Sequence, residues 1–143
     1  MSLVMSYDFG LKYIGVAVGQ PITSSATGIA TLICRKPERG KPAGKPNWRE
    51  VRDLIAAHKP AALVVGLPLN MDGSESEMAS NARAFAAKLE HQFGLPVHLH
   101  DERLSSRAAA EQLEYAQQAG KAKTDHELAA CLILESWLSD PAR

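Results

Sequence analysis

The first third of the chain carries the alternating hydrophobic pattern of β-strands. The side chains of residues 3–8 alternate between two faces, with Asp8 at the end of one of them, which predicts a first strand. Residues 13–18 and 28–34 are rich in β-branched and small side chains, and short turns separate the segments. Together these segments predict an antiparallel meander of three strands.

The rest of the chain alternates between helical and strand-like patterns. An apolar run over residues 61–65 predicts a strand buried on both sides, and residues 97–101 predict another strand. Helices are predicted around them, and two of these begin at capping-box patterns, Ser74 with Glu77 and Thr124 with Glu127. Four helices are predicted: three over about residues 48–58, 105–118 and 124–138, and one that opens at the Ser74–Glu77 box and stops at Gly94.

This order of elements, β-β-β-α-β-α-β-α-α, predicts a single α/β domain over residues 1–143. Strands separated by helices are expected to be parallel with right-handed crossovers, whereas the meander contributes antiparallel strands. The expected sheet is therefore mixed and five-stranded, a three-strand antiparallel meander plus two parallel strands, flanked by helices. That is the topology of a ribonuclease H-like domain.

Composition narrows the class of protein. The chain has 143 residues, 45% of them hydrophobic, and 16 basic residues balance 16 acidic ones. The longest apolar run, residues 128–134, is far too short to span a membrane, and no signal-peptide pattern opens the chain. Cys34 and Cys131 stand apart, as reduced core residues do. We expect a cytoplasmic protein without a membrane partner.

Charge is unevenly distributed despite the neutral total. Residues 35–46 contain five Lys or Arg and one Glu among several Gly and Pro, a local charge of +4. Such a segment is expected to form a mobile basic loop. It is either a solvated connector or an arm that contacts phosphates through Lys41 and Lys45.

Acidic residues occur at three points that the predicted topology brings to one edge. Asp8 ends the first strand, the run Asp101-Glu102-Arg103 lies where the last strand ends, and Asp125 and His126 open the last helix. Ligands of open α/β sheets gather outside the carboxyl ends of the strands. Taken one at a time, each acid also has a structural explanation. The acid of the first strand could form a turn, those after the last strand could be solvated residues at the start of a helix, and the one in the last helix could complement the helix dipole.

Taken together, the acids favour a metal site. Converging carboxylates repel one another unless a cation is present, and oxygen ligands suit Mg²⁺ or Mn²⁺. Two such ions, about 3.5–4 Å apart, can position a water nucleophile for phosphodiester hydrolysis. Lys12 and Arg103 stand beside the acids and either meet a scissile phosphate or form ion pairs with the acids.

Four segments resemble the signature blocks of the YqgF/RuvX family. They are DFGLKYIGVAVGQ from Asp8, VVGLPLNMDGSES from Val64, HDERLSS from His100 and AACLILESWL from Ala129. The resemblance spans most of the chain. It implies a ribonuclease H-like bacterial nuclease that processes the 5′ end of pre-16S ribosomal RNA in ribosome biogenesis, or else a Holliday-junction resolvase.

The resemblance also implies which residues act. The family's acids correspond to Asp8 and Glu102, and Glu102 substitutes for an acid that true junction resolvases place after the equivalent strand, where this chain has the loop Gly66-Leu67-Pro68. The third acid of the family falls in the register of His126, one residue after Asp125. One helical step is about 100°, so both cannot face the metal in a regular helix. We expect Asp125, whose charge suits the site, with His126 as the alternative.

Other functions stay open at this point. The Asp8-Phe9-Gly10 turn with Lys12 is similar to the first phosphate loop of actin-like kinases, but those proteins use two such domains. A catalytically silent RNA-binding factor in ribosome assembly also fits the neutral charge. The expected partner is nucleic acid, either a ribosomal RNA precursor or branched DNA, bound by a monomer or a homodimer. No aromatic stacking platform is evident in the sequence.

Overall fold

The computed structural model describes residues 2–34, 45–104, 120 and 122–140. Within these residues the chain forms five strands, three α-helices and one turn of 3-10 helix. In chain order they are β1 (Val4–Asp8), β2 (Tyr13–Gln20), β3 (Ser25–Ile33), α1 (Trp48–His58), β4 (Ala62–Leu67), α2 (Glu77–Phe93), β5 (Val97–Asp101), the 3-10 turn (Glu102–Leu104) and α3 (Asp125–Ser139).

The strands form one mixed sheet in the order β3-β2-β1-β4-β5. The pairs β1–β2 and β2–β3 are antiparallel, whereas β1–β4 and β4–β5 are parallel. The predicted α/β architecture of a meander plus two parallel strands is therefore confirmed. The meander is longer than predicted because β2 continues to Gln20, which pairs with Ser25 on β3. The helix predicted over about residues 105–118 lies outside the described residues.

Each face of the sheet is covered by helices. Side chains of β1 alternate between the faces, so Met5 and Tyr7 lie on one side, whereas Val4 and Ser6 lie on the other. The first side packs against α1 and α2 through Val51 and Phe85, among others. The second side packs against α3. The buried residues on this α3 side are Val4, Ala17, Ala26, Val64, Ala122, Leu128, Ala130, Cys131, Ile133, Leu134 and Leu138.

The α3 face matters most for function, because Asp8 continues the row of Val4 and Ser6 on that face. Ser6 is fully buried, and its hydroxyl donates a hydrogen bond of 2.7 Å to the carbonyl oxygen of Ala130. This bond fixes the middle of α3 over β1. Asp8, at the end of the same strand, therefore lies near the beginning of α3.

Helix α2 begins later than its sequence pattern predicts. The N-cap is Ser76, whose hydroxyl accepts a hydrogen bond of 3.0 Å from the Ala79 N–H. The predicted capping residue, Ser74, instead donates its backbone N–H to Asp72 within the preceding loop. That loop is closed by a backbone bond between Asn70 and Ser74, so the helical conformation starts only after it.

The predicted cap of the last helix is confirmed. Thr124 accepts from the Glu127 N–H at 3.0 Å. The buried Glu127 carboxylate in turn accepts from the Lys123 N–H and from the Thr31 hydroxyl on β3. Thr31 thus ties the beginning of α3 to the sheet, and the bonds within residues 123–127 fix the conformation of its first turn. None of the described helices is long and apolar enough to span a membrane.

Candidate active site

The two strand-end acids lie on opposite sides of β4. Asp8 is the last residue of β1, and Glu102 follows β5 directly as the first residue of the 3-10 turn. Between them, β4 carries Gly66, where a Cβ atom would lie only 2.8 Å from Glu102 Oε1. The Glu102 carboxyl group therefore lies over bare backbone, and its side chain reaches across β4 to hydrogen-bond with Asp8.

The pKa values of both carboxyl groups are raised, which favours one proton on the pair at neutral pH. Burial raises the pKa of Glu102 to about 8, and the neighbouring negative charge of Asp8 and the hydrogen bond donated to it act in the same direction. Burial also raises the pKa of Asp8, although the hydrogen bond from Glu102 and the charge of His126 oppose this. Two partly buried carboxyl groups in contact cannot both ionise cheaply. The arrangement suits one proton or one cation between them.

His126 lies beside the pair, and Asp125 does not. The charge of His126 interacts with Asp8, whereas Asp125 is exposed at the first position of α3. Within the described residues, no group of three or more His, Cys, Asp or Glu side chains is arranged to hold a metal ion. Of the predicted site residues, the structure places Asp8 and Glu102 in contact, and His126 interacts with Asp8 through its charge. The identity of a third ligand, Asp125 or His126, stays a prediction.

Close packing fixes the position of His126. The first turn of α3 lies directly on β2 at Gly15, where a Cβ atom would approach the carbonyl oxygen of His126 to 1.8 Å. The imidazole ring also lies against the ring of Tyr13, with centroids 4.8 Å apart. Sequence reasoning missed Tyr13 as a residue of this site. The only local sequence feature that could have indicated Tyr13 is its position two residues before Gly15, on the same face of β2.

Arg103 is held by the neighbouring strand-end acid. Its guanidinium donates to both carboxylate oxygens of Asp101, at 2.7 Å in the shortest bond, and its backbone N–H donates to the same carboxylate. A further bond of 3.4 Å reaches the carbonyl oxygen of Met71. Of the two roles considered for Arg103, the described contacts are those of an ion pair, but its partner is Asp101 rather than Glu102. A contact with phosphate stays a prediction.

The other predicted cationic residues lie at the surface or outside the described part of the chain. Lys12 is exposed immediately before β2, and within the described residues it makes no ion pair with Asp8 or Glu102. Lys45 is exposed before α1, and Lys41 lies outside the described residues. Their contacts with phosphate also stay predictions.

Over residues 2–140 the sequence matches a family described as "RuvX: Holliday junction resolvase". The chain belongs to the RuvX family. Relatives in this family include a protein of Pseudomonas putida, 45% identical over 141 residues that cover 96% of this chain and 95% of the relative. A protein of Azotobacter vinelandii is 44% identical over 140 residues, covering 96% and 94%. Both relatives carry the name "Putative pre-16S rRNA nuclease". The resemblance to the YqgF/RuvX family is confirmed.

Solved structures of RuvC from Thermus thermophilus share the fold. One, in complex with a Holliday junction substrate, has a TM-score of 0.61 at 16% identity and covers 95% of this chain and 92% of its own. Another has a TM-score of 0.59 at 17% identity, covering 94% and 92%. Identities this low bear on the fold alone. The two TM-scores confirm the ribonuclease H-like architecture expected for this chain.

The shared proton predicts how stability depends on pH. In a chelating buffer, the free energy of unfolding should fall as the pH rises through the interval between 4.5, the ordinary pKa of Glu102, and about 8, its value in the folded protein. The folded state binds more protons than the unfolded state in this interval, which gives the negative slope. After allowance for solvent screening of this partly exposed side chain, the loss should be about 1–2 kcal/mol.

Urea unfolding at the two ends of that interval measures this loss. Glu102→Gln is the matched control, because it keeps the shape of the side chain and removes the proton exchange. The pH slope of the variant should be flatter than that of the wild type. Equal slopes for the two proteins would contradict the assignment of the raised pKa to Glu102.

Gly66→Ala should displace the Glu102 carboxyl group. The new Cβ would lie 2.8 Å from Glu102 Oε1 and 2.5 Å from Ile133 Cδ1. We expect a loss of nucleolytic activity of about tenfold or more, because small displacements of reacting groups are costly. The double variant Gly66→Ala/Ile133→Val relieves only the Ile133 contact. It should regain stability in urea unfolding but not activity; recovery of both would mean that Gly66 serves packing alone.

Proposed function

We propose that this RuvX protein is a metal-dependent nuclease that hydrolyses phosphodiester bonds at the 5′ end of pre-16S ribosomal RNA in the bacterial cytoplasm. The observation that carries the proposal is the proton-sharing pair of Asp8 and Glu102 at the carboxyl ends of β1 and β5. Support for the substrate comes from relatives about 45% identical that bear the name of a pre-16S rRNA nuclease. Support for nucleic acid as the partner also comes from the RuvC complex, which shares the fold.

The donor set fits a divalent cation. Asp8 and Glu102 offer hard oxygen ligands, and a bound ion would replace the proton that Glu102 otherwise holds. Asp125 is the proposed third ligand and would turn inward from its exposed position in the first turn of α3. His126 is the alternative, which manganese would tolerate better than magnesium. When bound, Mg²⁺ or Mn²⁺, as one ion or as a pair, would supply Lewis acidity toward water and the scissile phosphate.

The chain's own residues would prepare the site for that chemistry. Glu102 lies over Gly66 and in contact with Asp8, and the partial burial of both acids would strengthen their attraction for a cation. Lys12, exposed next to the site, would bind a phosphate of the substrate. The basic segment with Lys41 and Lys45 would add phosphate contacts farther along the strand.

The second candidate function is resolution of Holliday junctions, which the family's description names. The two candidates separate in one assay, in which a single preparation is given a pre-16S RNA precursor and a four-way DNA junction in magnesium. Asp8→Asn serves as the control for contaminating nucleases. We expect cleavage of the precursor by the wild type and not by the variant. Cleavage of the junction alone would assign the protein to resolution, and binding without cleavage of either substrate would leave an RNA-binding assembly factor.

A further inference from the structure

We propose that Tyr13 and His126 form a stacking subsite that takes an unpaired nucleobase of a nucleotide next to the scissile phosphate. The inference rests on the proposed nuclease function and adds the substrate class. The preferred substrate would carry unstacked bases at the cut, as single-stranded tails and branch points do, and continuous duplex would be a poor substrate.

The two rings form an open platform. The Tyr13 and His126 centroids are 4.8 Å apart with an interplanar angle of 30°, so the imidazole supports one side of the phenol ring. Tyr13 is nevertheless 41% exposed. Its cross-strand partner on β3, Ile33, is 69% exposed and extends the apolar surface. Aromatic rings held in this way bind bases by stacking, with little regard to sequence.

The platform adjoins the acidic pair. Strand β2 is antiparallel to β1, and Asp8 is paired with Gly15, so Tyr13 lies at the edge where β1 ends. Tyr13 and Gly15 are two residues apart and share the α3 face of the sheet, about 7 Å from each other along the strand. His126 links both parts of the site, because its ring contacts Tyr13 and its charge interacts with Asp8.

Charge around the platform matches a nucleic-acid strand. Lys12 is exposed directly before Tyr13 and would face the sugar-phosphate backbone of a nucleotide whose base lies on the ring. Bases inside a continuous duplex present only their edges to a protein, whereas unpaired bases can turn their faces onto an aromatic ring. The surface formed by Lys12, Tyr13 and His126 therefore favours unpaired bases.

No local sequence pattern predicts this subsite. Tyr13 and His126 are separated by most of the chain, and His126 reaches Tyr13 only because α3 packs so closely on β2 at Gly15. Each ring alone is an ordinary surface residue.

Binding of two probes, one with nucleobases and one without them, tests the subsite. All proteins carry Glu102→Gln so that the probe is not cut, and magnesium is present. The probes are a fluorescently labelled single-stranded RNA oligonucleotide and the same sugar-phosphate chain without bases. Tyr13→Leu removes the ring but keeps an apolar side chain, and Tyr13→Phe keeps the ring. Ile22→Ala is the control for loss of an exposed apolar residue, since Ile22 is 80% exposed in the β2–β3 turn.

Tyr13→Leu should weaken binding of the RNA by about tenfold or more and leave binding of the baseless chain unchanged. Tyr13→Phe and Ile22→Ala should bind both probes as the parent does. Equal weakening of both probes by Tyr13→Leu, or no weakening of either, would overturn the proposal. Base-dependent binding through Tyr13 in a protein whose wild type cuts no substrate would uphold the subsite and refute the nuclease function, so the two failures are distinguishable.

Discussion

Glu102→Gln should reduce cleavage by at least about a hundredfold while making the metal-free protein more stable above neutral pH. The activity falls because one of the two oxygen ligands beside Asp8 is lost, and even indirect supports of a metal site commonly contribute tenfold to a hundredfold. Stability rises because the neutral amide removes the repulsion that raises the pKa of Glu102 to about 8. Asp8→Asn should behave in the same way.

Opposite changes in activity and stability distinguish a functional acid from a structural one. Glu90→Gln is the matched control, since Glu90 is an exposed acid on α2 away from the site. It should change neither property. Cleavage rates and thermal melting in a chelating buffer provide the comparison. A Glu102→Gln protein that melts below the wild type at pH 8.5 or so and keeps its activity would show that Glu102 only supports the fold.

Gly15→Ala is expected to destabilise the protein by about 3 kcal/mol or more. Its Cβ would lie 1.8 Å from the carbonyl oxygen of His126 and 3.0 Å from the Glu127 backbone nitrogen. Both contacts are with backbone, so no rotamer change relieves them, and the beginning of α3 must move off the sheet. Helix α3 carries Leu128 and Leu134 into the core, so the movement also opens that core.

Gly94→Ala separates this steric effect from the general cost of replacing glycine. Gly94 has a φ of 65° at the end of α2, and nothing lies within 4 Å of an added Cβ. Its replacement should cost only about 1 kcal/mol, from backbone strain. Urea unfolding of the two variants measures the difference. Equal losses would mean that α3 can move away from β2 without disturbing the core.

The architecture was predictable because it follows from local periodicity. Alternation over β1, the apolar run at β4 and the helical spacing of α1 each depend on residues near one another in sequence, and the order of elements then restricts the topology. The convergence of Asp8 with the Asp101-Glu102 pair was predictable for a related reason, whereas the choice of Glu102 rested on the resemblance to the RuvX family. The carboxyl ends of parallel strands meet at one edge, whatever the details of packing.

The remaining features depend on packing that no local pattern encodes. Both Ser74 and Ser76 can cap a helix, and only the closed turn before α2 selects Ser76. Arg103 stands next to Glu102 in sequence, yet the strand-end geometry turns its guanidinium to Asp101. The role of Gly66 follows from the position of the Glu102 carboxyl group above it, which depends on tertiary packing and has no local sequence pattern.

The central claim, that Asp8 and Glu102 form a cation site that shares a proton when no cation is present, is tested most directly by calorimetric titration with magnesium or manganese near neutral pH. Measured in two buffers of different ionisation enthalpy, wild-type protein should release roughly one proton per bound ion, because the ion replaces the proton held by Glu102. Glu102→Gln should bind the ion more weakly and release almost none. Metal binding with equal affinity by both proteins, and with no proton released by the wild type, would contradict the claim.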